Sequence, residues 1–85
     1  MPAHLPPVDT LMERLQSEIA LLSERFAASE RMLEVRSLEM LLAETALAAH
    51  AYRVARDAHL RLRARLHHLQ AKLGSLILER ESAQT

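Results

Sequence analysis

LEMLLAETALAAHAYRVA, residues 38–55, decides the fold, because two apolar stripes of different helical phase overlap within it. The stripe that enters from upstream repeats every seven residues through Met12, Ile19, Phe26, Leu33, Met40, Leu47 and Val54. Val8, Leu15 and Leu22 supply its companion position until Ser29 and Arg36 interrupt it. A second stripe leaves downstream through Leu38, Leu41, Ala48, Tyr52, Ala55, His59, Leu62, Leu66, Leu69, Leu73 and Leu76. Where the two overlap, Leu38, Met40, Leu41, Leu42, Leu47, Tyr52 and Val54 surround a helix on every side. A heptad pattern shifts phase where a chain turns back, and also where an unbroken helix exchanges partners. The expected fold is therefore all-α: a long antiparallel helical hairpin, coiled-coil-like, turning near 45–57 and assembling into a four-helix-type bundle. Its rival is a single long helix in an antiparallel coiled-coil dimer.

Outward from this stretch the punctuation is sparse. No Gly or Pro occurs from Asp9 to Leu73, so a helical module is expected over 9–80. Thr10 followed by Glu13 has the capping-box spacing, which sets the start of helix at Asp9 or Thr10. All three prolines fall in residues 1–8, which reads as a flexible extended tail, and residues 81–85 read as a disordered tail. Gly74 is expected to weaken or bend the last turns.

Composition narrows the class further. Leu and Ala supply 31 of 42 apolar residues, against five Val and Ile together, which favours helix over strand. The absence of Cys excludes a disulfide framework and thiolate chemistry, and no basic start or long apolar run marks a signal peptide or membrane span. The expected location is the cytoplasm. Ten of the eleven basic residues are Arg and Asn is absent, a bias that points to a GC-rich bacterial genome.

The zero net charge hides two opposite halves. Residues 1–45 carry four Arg against eight acids, whereas residues 46–75 carry five Arg and Lys72 against Asp57 alone. Antiparallel packing with a fold point near 45 sets the halves against each other and is expected to pair Glu18 with Lys72, Glu24 with Arg65, Glu30 with Arg61 and Glu34 with Arg56. Exposed pairs of this kind contribute roughly 0.2–1 kcal/mol each, enough to choose an orientation.

Candidate sites follow from the stripes. The interface residues are Met12, Leu15, Ile19, Leu22, Phe26, Leu33, Met40, Leu47 and Val54 on the first, and Leu62, Leu66, Leu69, Leu73 and Leu76 on the second. Arg61, Arg65, His68 and Lys72 form a basic strip able to meet an anionic partner. The acidic half of the same chain, or of another copy, is the simplest such partner. His50, His59, His67 and His68 show no three- or four-residue spacing that would hold a metal, so no metal and no cofactor is expected. Protonation of His59, which falls on an apolar stripe, would oppose packing. No serine has a base at productive spacing and no Gly-rich loop occurs, so neither an enzyme nor a small-molecule substrate is expected.

A two-helix hairpin hides one stripe per helix, and 28 large apolar residues are more than two stripes hold. The chain is therefore expected to associate, as a homo-oligomer, most simply a dimer, or with another helical protein. In size and organisation it looks like the small helical chaperones and co-chaperones of bacterial secretion machines, an analogy of architecture that carries no residues across. The expected function is a non-enzymatic interaction and oligomerisation module, adaptor or chaperone-like. The alternative is a dimer of basic amphipathic helices on nucleic acid or an anionic membrane, which the shortage of aromatic residues disfavours.

Overall fold

The structure is a computed structural model that describes residues 8–83. Two helices account for nearly all of it: α1 (Val8–Ala43) and α2 (Ala46–Ala83), which pack against each other as a hairpin. The unbroken-helix rival is thereby excluded. A 38-residue helix rises about 57 Å at 1.5 Å per residue, and the molecule spans 61 × 28 × 14 Å, one layer of helices thick.

The chain reverses through only two non-helical residues, and each has an identifiable job. Glu44 adopts the left-handed conformation at φ 50°, and its N–H donates to the Met40 carbonyl at 3.1 Å, closing the end of α1. Thr45 then caps α2: its Oγ1 accepts from the Ala48 N–H and its carbonyl accepts from the Ala49 N–H, both at 3.1 Å. This reversal lies at the edge of the 45–57 window read from the stripes.

The helix limits correct the sequence reading at both ends. Helix α1 begins at Val8, so Thr10 lies inside the first turn rather than capping it, and the acid of that turn is Asp9, well placed at the positive end of the helix dipole. The rest of the expected proline-containing tail lies outside the described residues. At the other end α2 continues through Glu81, Ser82 and Ala83, three residues of the expected disordered tail, while 84–85 lie outside the described residues. Gly74 is an ordinary helical residue without positive φ, so it does not end the helix.

Register follows from two cross-helix contacts. Arg80 Nη1 lies 3.3 Å from Asp9 Oδ1, and Ser29 Oγ lies 3.1 Å from His59 Nδ1. The partners' numbers add to 89 and 88, so residues whose numbers add to about 89 sit level along the hairpin. The seam between the helices takes the first stripe from α1 and the second from α2. Met12, Leu15, Leu66 and Leu69 are buried there, all in the half remote from the turn. Ile19, Leu22, Phe26, Leu33 and Met40 from α1, with Leu62, Leu73 and Leu76 from α2, are half-buried. Toward the turn the α2 side of the seam is built from Ala48, Ala51, Ala55 and Ala58, whose methyl groups remove little apolar area from water, and burial falls accordingly.

Candidate functional site

Of the expected interface residues, twelve lie in the seam and two do not. Leu47 is 78% exposed and Val54 is 52% exposed. The reversal at Glu44 and Thr45 restarts the helical phase, so the seven-residue count carried across it from Met40 no longer points at α1. Leu47 and Val54 instead join a group that the hairpin leaves uncovered: Met32, Val35, Leu38, Leu41 and Leu42 are all exposed, Leu42 to 84%. Four large apolar side chains are buried among the described residues and twelve are exposed, seven of these between Met32 and Val54. The turn half of the hairpin is therefore where the apolar surface accumulates.

The two flanks of the seam differ. On one flank, Met32, Ala51, Val54, Ala55 and Ala58 line a shallow apolar groove with Arg36 and His50 at its edge. On the other, Glu30, Glu34 and Ser37 line a wide groove of about 630 Å³ together with Leu33, Leu38, Tyr52 and His59. Ala58 precedes and Leu60 follows the seam residue His59, so helical geometry assigns them to opposite flanks.

His59 is the polar element of the seam. Its ring stacks on Phe26 with centroids 4.5 Å apart and planes inclined by 27°, and its Nδ1 shares a hydrogen bond with the Ser29 hydroxyl whose direction follows the imidazole tautomer. Ser29, an interruption of the heptad as read from sequence, is thus matched to a histidine on the facing helix. Such a match is invisible until the register is known.

The basic strip keeps its expected spacing. Arg61, Arg65, His68 and Lys72 are all exposed, and the last three line a groove of about 330 Å³ with Leu11, Arg14, Leu15 and Glu18. Glu18 and Lys72 thus share one groove, as the fold point near 45 implies, but neither these two nor the other three expected cross-helix pairs form an ion pair among the described residues. The inter-helix ion pair recorded is Arg80–Asp9, and Arg36–Glu39 at 2.8 Å lies within α1. For Glu30 and Arg61 the physical reason is sidedness. Glu30 lies on the flank of His59 and Tyr52, whereas Arg61 continues the strip of Arg65 and Lys72 on the other. Being level along two rods does not bring charges together across them.

Among the described residues no group of three or more His, Asp or Glu is placed to hold a metal ion. Among the same residues no helix is long and apolar enough to cross a membrane. Compared with family models, curated proteins and solved structures, the chain finds no match.

Proposed function

We propose that this chain is a non-enzymatic helical association module, in which hairpins dimerise into a four-helix-type bundle and so present an adaptor or assembly-chaperone surface to a helical client in the cytoplasm. The observation that carries this reading is the imbalance between four buried and twelve exposed large apolar side chains, concentrated at the turn half. A fully buried Leu or Val contributes about 1.5–3 kcal/mol, so covering a dozen half-exposed ones is worth on the order of 10 kcal/mol. That equals the whole stability of a typical small domain. Exposed apolar area of this extent marks an interaction surface. Sedimentation of the purified chain across a wide concentration range tests the reading: the expected species has twice the chain mass, and a monomer at every concentration overturns it.

A second reading rests on the exposed strip Arg61, Arg65, His68 and Lys72, which would meet phosphates of nucleic acid or anionic lipid. Titration with a duplex or with anionic vesicles at two salt concentrations separates the readings, because phosphate contacts weaken steeply with salt whereas apolar helix pairing does not.

A further inference from the structure

The groove beside Arg65 and Lys72 carries a charge that the hairpin itself leaves unmatched. Arg61, Arg65, His68 and Lys72 succeed one another at spacings of four, three and four, so they form one exposed edge of α2. That edge rises about 16 Å. Across from it α1 offers Arg14 and Glu18, and Arg25 continues the same edge seven residues on. One acid thus stands among five Arg and Lys side chains, all exposed. The two ion pairs recorded among the described residues, Arg80–Asp9 and Arg36–Glu39, include none of the six.

The opposite flank differs. Arg53, Arg56 and Arg63 share the helical spacing of Leu60, and there α1 answers with Glu30 and Glu34. Helix α2 is basic on both flanks, but on one of them it faces more cations than acids.

Between the two basic edges lies leucine: Leu15 and Leu69 are buried, and Leu11 and Leu76 are half-buried. Cations around an apolar floor match a ligand that has both anionic and apolar surface. An amphipathic helix with an acidic edge has both, and its acids can recur at the same spacing and rise as the strip. Phosphates would engage the cations and leave the leucines wet. A second copy is a poor source of such an edge, because the four-three-four spacing finds acids at no more than two of its four positions anywhere in the sequence.

We propose that the groove of Arg65, His68 and Lys72 receives an acidic amphipathic helix of another protein, laid along the hairpin as a third helix. Its carboxylates meet Arg61, Arg65 and Lys72, and its apolar stripe meets Leu11 and Leu76. This inference rests on the association reading and gives the helical client its chemistry.

A capped peptide of about 18 residues, long enough to hold a helix, tests the proposal with four Glu at that spacing beside a Leu stripe. It is expected to bind the full chain, and its counterpart with four Gln about tenfold more weakly. No binding of the Glu peptide, or equal binding of the two, overturns the proposal. One chain carrying Arg61→Glu, Arg65→Glu and Lys72→Glu should lose the Glu peptide and gain a counterpart with four Lys. A chain carrying Arg53→Glu, Arg56→Glu and Arg63→Glu makes the same change of net charge on the opposite flank and should retain the Glu peptide. Equal losses in the two variants overturn the site, since net charge alone then attracts the peptide. Tighter binding of a DNA duplex or of phosphatidylserine vesicles than of the Glu peptide, at the same salt, overturns the choice of a helix in favour of phosphate. Sedimentation reads self-association separately: a dimer that ignores the Glu peptide overturns this proposal alone, and a monomer that binds it overturns the dimer alone.

Discussion

At the scale of single residues, the reversal turns on Glu44 and Thr45, and both are testable. A left-handed backbone costs a non-glycine residue about 1–2 kcal/mol, and Glu44 stands there at φ 50°. Glu44→Gly relieves that strain, offset in part by the greater freedom of glycine in the unfolded chain. A net gain of about 1 kcal/mol is expected, read as a higher midpoint in urea or heat. Thr45→Ala removes the acceptor for the Ala48 N–H and should cost about 1 kcal/mol in the same measurement. Gly74 gives the third test: it is helical, and a Cβ added there meets nothing within 4 Å. Gly74→Ala should therefore stabilise the hairpin by roughly 0.5–1 kcal/mol. A loss of stability would show that this glycine is needed for something beyond the helix, such as close approach of another chain.

At the scale of elements, the helices and their pairing were legible and the sidedness was not. The phase shift between the stripe from Met12 to Val54 and the stripe from Leu38 to Leu76 pointed to a reversal because helical periodicity reports which face is apolar, although an unbroken helix exchanging partners fitted it too. It could not narrow 45–57 to two residues, since Glu44 is an unadvertised left-handed residue and Thr45 lacks an acidic or amide residue three positions on. The cross-helix charge pairs failed for a different reason. Counting from a fold point gives the level of each residue along the hairpin, but the flank depends on small angular offsets that put Glu30 and Arg61 on different sides. The restart of helical phase at Glu44 and Thr45 moved Leu47 and Val54 out of the seam, which makes a contrast between two substitutions informative. Leu33 is half-buried between the helices, so Leu33→Asp should lower the helical signal in circular dichroism even at high dilution, at a cost of about 2–4 kcal/mol. Leu47→Asp alters an almost bare side chain and should leave the dilute hairpin's packing intact while shifting the association equilibrium toward the single chain. If both substitutions unfold the chain alike, the hairpin does not exist apart from its assembly.

At the scale of the whole molecule, a single layer of two helices is a poor container for this much leucine. Each helix has one neighbour and can turn one stripe toward it, yet between Met32 and Val54 apolar side chains project on several sides. The hairpin should therefore owe much of its stability to a second layer, and linkage makes that dependence measurable. When the folded state is a dimer and the unfolded state is not, mass action raises the melting temperature with concentration. Taking about 0.7 kcal/mol of unfolding enthalpy per residue over the helical residues, a tenfold increase in concentration should raise the melting midpoint by about 5 °C. A hairpin that melts as an isolated chain shows no dependence at all. The slope also reports stoichiometry, because the logarithm enters with a factor (n − 1)/n per chain for an assembly of n chains, so a tetramer's midpoint rises about half again as steeply as a dimer's. Adding salt during the same experiment separates apolar burial from charge attraction. Screening weakens the attraction between acidic α1 and basic α2 but leaves apolar burial in place. The concentration dependence should therefore survive at high salt, with every midpoint lowered slightly. If instead the dependence disappears with salt, charge rather than the uncovered leucines of the turn half holds the copies together.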